Sequence, residues 1–200
     1  MKNILYTIIL SFLFSSSVFA DFEAGKDAYN AGDYETAYKE WKALAEQGHT
    51  KAQIHVYMMY SFGEGVTQDD KEAMKWLRLA VEQGDARAQL ELGAVYKAGL
   101  IVTRDFKEAM KWIRLAAEQG YADAQFALGQ MHLKGQGVTQ DYIIANMWFN
   151  IAANSAANSA ARNAMMFKDT VESKMTSEQL LEAQNLTREC IKKNYKNCGY

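Results

Sequence analysis

Proline is absent from this chain of 200 residues, whereas glycine occurs 13 times. Most turns must therefore be made by glycine, which suits short, tight connections between helices. An excess of positive charge is also lacking, because 22 lysines and arginines are matched by 24 aspartates and glutamates. Nucleic-acid-binding proteins normally present a strongly basic face, so this balance argues against a nucleic-acid partner.

Long apolar runs are lacking except near the N-terminus, where Ile4 to Phe14 is mostly apolar. This run is about half the ~20 residues that a membrane-spanning helix needs. It follows Lys2 and leads to the small residues Val18 and Ala20, a pattern typical of a secretory signal peptide. We therefore predict a signal peptide over 1–20, cleaved after Ala20, and a periplasmic or secreted product without membrane insertion. A lipoprotein is not expected, because no cysteine follows the cleavage site.

Cysteine is scarce, since Cys190 and Cys198 are the only two. In an oxidising compartment such pairs usually close, so we predict a disulfide between them. Two free thiols are the alternative.

The strongest positive signal is a repeat with a period of 36 residues. Positions 52–87 and 88–123 are identical at 20 of 36 sites without a gap, which chance does not produce. Residues that recur at this step are Ala52, Ala88 and Ala124; Gly63, Gly99 and Gly135; Asp69, Asp105 and Asp141; Trp76, Trp112 and Trp148. Such a period indicates a stacked unit of secondary structure.

Within each period the apolar spacing is helical. Ala73, Trp76, Leu77 and Ala80 fall at i, i+3, i+4 and i+7, and the next two periods repeat this spacing. We predict that Asp69, Asp105 and Asp141 cap these second helices. Glu72 and Glu108, three residues after the first two, should complete a capping box. The predicted stops are Gly84 and Gly120.

A first helix is predicted in each period over Ala52–Phe62, Ala88–Ala98 and Ala124–Lys134. Each unit is thus a helix–turn–helix pair that must stack on its neighbours to bury its apolar face. The predicted divisions are 1–20 signal peptide, 21–48 N-terminal capping repeat, 49–84 repeat 2, 85–120 repeat 3, 121–156 repeat 4 and 157–200 C-terminal capping helices.

The repeated tryptophan is expected to fill the space between helices. A ladder of ligand-stacking rings is the less favoured interpretation. After the repeats, Thr176 and Gln179 should cap a last helix that ends near Asn194. Its predicted buried stripe is Leu180, Ala183, Thr187, Cys190 and Ile191.

The run Y-x-x-G-x-G-V-x-x-D-x-x-x-A-x-x-W-x-x-x-A-x-x-x-G, from Tyr60 to Gly84, resembles the Sel-one-like repeat. That family is a variant of the tetratricopeptide helix pair. The resemblance implies an all-α fold, a right-handed α/α superhelical solenoid of tetratricopeptide-like helix pairs with a C-terminal capping helix. It also implies a scaffold for macromolecular contacts, often at the cell envelope or a host interface.

Two features depart from the family pattern. Gly99-Leu100-Ile101 replaces Gly-x-Gly, and since isoleucine does not comfortably adopt positive φ, this turn should differ locally. A cysteine-rich branch of the family, with a disulfide in each helix pair, has been connected with β-lactam binding and weak hydrolysis. The four repeat units here contain no cysteine.

No constellation of residues points to catalysis. His49, His55 and His132 are too separated in the repeat frame for a convincing metal site, and His132 takes the place of Tyr60 and Tyr96. We interpret His132 as a packing substitution, with a ligand role as the alternative. Neither a phosphate loop nor a nucleophile elbow is present after Ala20. The expectation is a protein that is not an enzyme and needs no cofactor and no metal.

The resemblance implies that first helices line the inner curve of the superhelix. Matching the inner positions selects as candidate binding residues Lys26, Tyr29, Ile54, Met58, Phe62, Leu90, Lys97, Phe126, Gln130 and Lys134. This mixture of apolar groups and lysines suits an extended or helical peptide, especially an acidic one. The alternative for Ile54, Leu90 and Phe126 is that they only complete packing between repeats.

These observations predict a monomeric, non-enzymatic scaffold that binds a protein or peptide through its concave first-helix face. The alternatives are a cell-wall glycan binder and a weak β-lactam-binding or β-lactam-hydrolysing enzyme.

Overall fold

The computed structural model describes residues 20–155 and 159–199, so the predicted signal peptide, the predicted end of repeat 4 at 156 and Tyr200 lie outside the described residues. Within the described ranges the chain forms ten helices and no strand. They are α1 (Phe22–Asn30), α2 (Tyr34–Glu46), α3 (Thr50–Phe62), α4 (Asp70–Glu82), α5 (Ala86–Ala98), α6 (Phe106–Ala117), α7 (Ala122–Lys134), α8 (Tyr142–Ala153), α9 (Ser159–Glu172) and α10 (Ser177–Lys192).

Consecutive helices pack as pairs: α1 on α2, α3 on α4, α5 on α6 and α7 on α8. Each pair then contacts the next through the second helix of one and the first helix of the other. At the end of the chain, α9 packs against α7 and α8, and α10 packs against α8. The predicted all-α solenoid of helix pairs is therefore confirmed.

The second helices begin where the sequence predicts. Asp69, Asp105 and Asp141 each accept hydrogen bonds from two backbone N–H groups of the first turn, with distances of 2.8–3.1 Å. The glutamates of the expected capping box have other partners, because Glu72 accepts from Lys75 and Glu108 accepts from Lys111 and Trp112. Aspartate alone thus caps these helices.

The first helices begin two residues earlier than predicted, at Thr50, Ala86 and Ala122. The reason is capping by residues that precede the Ala-Gln signature. Nδ1 of His49 accepts from the Ala52 N–H at 3.1 Å, and the Asp85 carboxylate accepts from the Ala88 N–H at 2.9 Å. Histidine is an unusual N-cap, so the repeat pattern alone did not reveal this start.

The copied alanines and most tryptophans form the core. Four of the copied alanines are fully buried: Ala73, Ala80, Ala109 and Ala116. At most 5% of the surface is exposed in Trp41, Trp76 and Trp148. Trp112 corrects the expectation of one filler tryptophan per repeat, because it is only half-buried. Its indole N–H donates to the carboxylate of Glu108 at 3.0 Å, at the protein surface.

The last helix carries the predicted cap, since the Thr176 hydroxyl and the Gln179 side chain each bond the other residue's backbone N–H. Ala183, Thr187 and Cys190 are buried, but Ile191 is exposed and Leu180 is half-buried, so the predicted stripe is too wide. Cys190 is joined to Cys198. This bond holds the tail against the end of α6, where Glu118 accepts from the Asn197 N–H and pairs with Lys196.

Candidate binding surface

The first helices carry the candidate surface. We use "first-helix face" for the half-buried and exposed positions of α1, α3, α5 and α7. Of the predicted binding residues, Lys26, Phe62 and Lys134 are exposed, and Tyr29, Met58, Leu90, Lys97, Phe126 and Gln130 are half-buried. Ile54 is different, because only 1% of it is exposed.

Ile54 is therefore wrong as a contact residue, and it belongs to the core formed by the first two helix pairs. The more exposed residue beside it is the half-buried His55, one position and about 100° further round the helix. Leu90 is half-buried and packs against the next core cluster, between repeats. Phe126 contacts Phe149 and Phe167, with ring centroids 5.7 and 5.4 Å away. Contacts within the chain therefore cover much of the surface of the Leu90 and Phe126 side chains.

The residues predicted on α1 make contacts within the chain. Lys26 pairs with Glu23 at 3.0 Å in an exposed position. The hydroxyl of Tyr29 donates to Glu64 at 2.8 Å and so ties α1 to the turn after α3. A partner at this end of the first-helix face would have to displace or accommodate the Tyr29–Glu64 bond.

Met58 and Phe62 lie on one side of α3 and leave apolar surface uncovered. Phe62 is 71% exposed, an unusual degree for a phenylalanine. Met58 is half-buried, and a guanidinium nitrogen of Arg87 lies 3.8 Å from its sulfur. Thioether and aromatic side chains in such positions form an adaptable apolar patch.

Three charged residues outside the predicted binding set extend this surface: Arg87, which contacts Met58, and Glu91 and Asp123, which interact electrostatically with Arg87 or with each other. Burial raises the pKa of Glu91, Arg87 opposes that shift and Asp123 adds to it. Lys51, Arg87 and Asp123 occupy the same place in three successive units. That change of residue type at a fixed place in the repeat was the available signal for this part of the surface.

Lys97 and Lys134 lie further along the first-helix face. Burial, and then the neighbouring charge of Lys134, lowers the pKa of Lys97. Within 20–155 and 159–199, neither lysine takes part in an ion pair. The two ammonium groups therefore form a small cationic site.

The turn between α5 and α6 departs from the other two, as predicted. At Gly65 and Gly137 φ is positive, and a Cβ there would overlap the carbonyl oxygens of Tyr34 and Phe106, respectively. Ile101 occupies the equivalent position and does not have positive φ. Its side chain precludes the same close approach of the turn to the preceding second helix.

A pocket of about 310 Å³ lies at this place, between the C-terminal ends of α3 and α5. We call it the junction pocket. Its lining consists of Tyr57, Ser61, Phe62, Gln68, Asp70, Ala94, Val95, Ala98, Leu100 and Ile101. At its edge Leu100 is 88% exposed, and with Phe62 it makes the opening apolar.

The described ranges contain neither a candidate metal site nor a candidate membrane span. Histidine, cysteine, aspartate and glutamate do not cluster there in any group of three or more suited to a metal ion. Nor does any helix in those ranges have the length and apolar character required to cross a bilayer.

Comparison with known proteins agrees with this architecture. The family model of the Sel1 repeat matches residues 52–85, 86–121 and 122–156, which together make up more than half of the chain. The chain therefore belongs to the Sel1 repeat family, a class of helical-repeat scaffolds that typically mediate protein interactions. The resemblance of the Tyr60–Gly84 run is confirmed.

Two solved structures are similar to this chain. One is a Sel1 repeat protein from Oxalobacter formigenes, with 36% identity, a TM-score of 0.56, and coverage of 64% of this chain and 96% of that one. The other is a protective antigen present in uropathogenic Escherichia coli strains that displays an SLR fold. It has 26% identity and a TM-score of 0.52, and the match covers 87% of this chain and 46% of that one.

Two curated relatives match a shorter stretch. Both are described as exopolysaccharide production negative regulators, from Rhizobium leguminosarum bv. viciae and Rhizobium meliloti, and they are 43% and 38% identical over 60 residues. The matches cover 30% of this chain, which spans about a fifth of the length of these relatives, 22% in each case.

Proposed function

We propose that this Sel1 repeat chain is a non-enzymatic scaffold that binds a protein or peptide through its first-helix face. One observation carries the proposal: the second helices repeat nearly the same residues from unit to unit, whereas the surface positions of the first helices carry residues that differ between units. Residues that are the same in each unit serve a role common to all units, so the residues that differ are free to match a particular partner.

The second helices illustrate the first half of this contrast. Ala73 and Ala109, Leu77 and Ile113, and Ala80 and Ala116 occupy matching places, and all are fully buried. The first-helix face illustrates the second half. Met58, Ala94 and Gln130 occupy the same place in three successive units, and all three are half-buried. At this place the side chain therefore changes from apolar to polar along the array, while the matching places in the second helices keep small or aliphatic residues.

A peptide suits this face better than a sugar does. Glycan-binding sites present flat aromatic rings for stacking, and among the exposed large apolar residues of the described ranges only Tyr34 and Phe62 are aromatic. Tyr34 begins a second helix, whereas Phe62 ends the first helix α3. Mixed apolar and charged side chains along parallel helices favour a peptide or a protein surface.

We further propose that the protein works outside the cytoplasm. The disulfide between Cys190 and Cys198 supports this, because such bonds persist in oxidising compartments. The predicted signal peptide adds the same indication from the sequence alone. Mass spectrometry of the processed chain tests it, and a product that retains Met1 would contradict it.

Site-specific photocrosslinking tests the binding face. A photoreactive phenylalanine analogue is introduced at Met58 or Phe62, and, as matched controls, at Leu79 or Leu115, which are partly exposed on second helices. Irradiation in cells should give the same protein adduct from positions 58 and 62 and none from 79 and 115. Adducts only from the second helices would overturn the proposed face. Hydrolysis of a chromogenic β-lactam that stops when one first-helix residue is changed would favour an enzyme instead.

A further inference from the structure

We infer that the junction pocket receives one bulky apolar side chain of an acidic peptide segment, whose carboxylate binds at Lys97 and Lys134. The inference rests on the proposed function and names the chemistry of the partner. It follows from three observations: how the pocket is opened, what lines it and which charges lie one repeat further along.

The pocket exists because one turn is unlike its equivalents. Gly65 and Gly137 let the backbone of their turns approach the carbonyl oxygens of Tyr34 and Phe106. Ile101 stands at the same place in the repeat and keeps its turn away from the start of α4, where Asp70 lines the pocket. A single departure from the repeat thus opens a cavity at the junction of α3–α4 with α5–α6.

The pocket has the size and lining for one side chain. Its volume of about 310 Å³ is near the lower end of the ~300–1,000 Å³ typical of small-molecule sites. Ala94 and Ala98 leave room on the α5 side, while Phe62 and Leu100 stand exposed at the opening. Burial of a leucine, methionine or phenylalanine from a partner would remove these rings and methyl groups from water.

The next junction along the array carries positive charge at three places where this one has uncharged residues. In the 36-residue period, Lys97 corresponds to Ser61, Arg104 to Gln68 and Lys134 to Ala98. All three counterparts line the junction pocket. The guanidinium of Arg104 donates to the Ala98 carbonyl at 3.2 Å. Lys97 and Lys134 have no carboxylate partner among the residues that the structure describes, which leaves them available to an anionic group.

These positions determine the spacing in the partner. Neighbouring packed helices lie about 8–10 Å apart, and an extended peptide advances about 3.3 Å per residue. An apolar side chain in the pocket therefore places an acidic side chain at the lysines about two to four residues away. Asp70 in the pocket wall disfavours a carboxylate within the pocket itself.

Selection from a random twelve-residue peptide library displayed on phage tests the inference. Peptides enriched on the unaltered protein should contain leucine, methionine or phenylalanine two to four residues from aspartate or glutamate. A synthetic peptide of the enriched sequence should then lose at least tenfold in affinity to Ala98→Trp, which fills the pocket. Ile101→Gly, which allows the turn to close as at Gly65, should give a similar loss.

The charge contribution has its own pair of variants. Lys97→Glu with Lys134→Glu should weaken the peptide at least tenfold, whereas Lys107→Glu with Lys192→Glu, exposed on α6 and α10, should leave its affinity unchanged. Circular dichroism and thermal unfolding establish that each variant is folded. Ala98→Trp and Ile101→Gly remove the pocket in different ways, so a loss of affinity in both is not due to one particular substitution.

The outcomes separate this inference from the proposed function. Peptides that bind the unaltered protein and both pocket variants equally would overturn the junction pocket while leaving a peptide-binding scaffold in place. Enriched peptides without an acidic residue, insensitive to the lysine changes, would overturn the cationic site. Failure to enrich any peptide would count against the scaffold and the pocket together. If the protein forms concentration-dependent dimers that Ala98→Trp dissociates, the occupant of the pocket is a second copy of this chain and not a peptide.

Discussion

The imidazole of His55 stacks on the indole of Trp41, with ring centroids 4.1 Å apart and planes inclined by 26°. The ring of Phe22 also packs on this imidazole, with centroids 5.5 Å apart. Burial, followed by the nearby charge of Arg87, lowers the pKa of His55 to about 4. The imidazole is thus neutral in the folded protein at physiological pH.

This arrangement predicts a pH-dependent stability. In the unfolded chain His55 titrates near its ordinary pKa of about 6.5, so between pH 6.5 and 4 the unfolded state binds a proton that the folded state does not. The stabilisation is fully present above pH 6.5 and is lost as the pH falls towards 4. Urea denaturation at pH 7.5, 6 and 5 should show a smaller loss for His55→Phe, which keeps a ring but does not titrate. Parallel pH profiles for the two proteins would contradict the assignment.

The tryptophans are predicted to differ in their contribution to stability. Trp148 and Trp76 are buried, so Trp148→Ala and Trp76→Ala should each lower the free energy of unfolding by about 3–5 kcal/mol. Trp112 is half-buried and donates to a surface carboxylate, so Trp112→Ala should cost only about 1–2 kcal/mol. Chemical denaturation of the three variants measures this, and equal losses would show that Trp112 is buried in solution.

Two glycines at positive φ provide a matched test of the close turn. A Cβ added at Gly84 would meet open space, whereas a Cβ on Gly65 would overlap the Tyr34 carbonyl. Gly84→Ala should therefore cost only the conformational strain, about 1–2 kcal/mol. Gly65→Ala should cost about 1–3 kcal/mol more because of the overlap. Equal shifts in thermal unfolding would indicate that the turn at Gly65 does not pack on α2.

The disulfide is predicted to anchor the tail more than its ion pair does. Replacing Cys190 and Cys198 by alanine should lower the free energy of unfolding by about 2 kcal/mol, because the bridge closes only a short loop. Proteolysis should then cut within 194–199, which loses its attachment to Glu118. Lys196→Ala removes only the ion pair to Glu118 and should cost less than about 1 kcal/mol. Two thiols that react with iodoacetamide in protein from an oxidising compartment would contradict the bond.

The repeat pattern predicted the helix pairs well because it records packing. Asp69, Asp105 and Asp141 mark a helix start by a local hydrogen bond, and each was confirmed. The earlier starts at Thr50 and Ala86 were missed, since their caps differ between units and so have no period.

The surface was predicted less well for a physical reason. A shift of one residue turns a helical position by about 100°, so choosing Ile54 instead of His55 selected a core residue in place of a half-buried one. The junction pocket depends on how one turn meets the preceding helix pair. The sequence marked the unusual Ile101, but only the three-dimensional arrangement shows the cavity that it opens.

One affinity comparison with a purified partner shows whether the first-helix face binds it. The test protein carries Met58→Glu and Lys97→Glu, and its control carries Leu115→Glu and Arg78→Glu, the same two kinds of change on second helices. Isothermal titration calorimetry should show at least a tenfold weaker complex for the test protein, about 1.4 kcal/mol, and no change for the control, with both folded by circular dichroism. Unchanged affinity of the test protein together with loss of binding by the control would show that the second helices, and not the first-helix face, bind the partner.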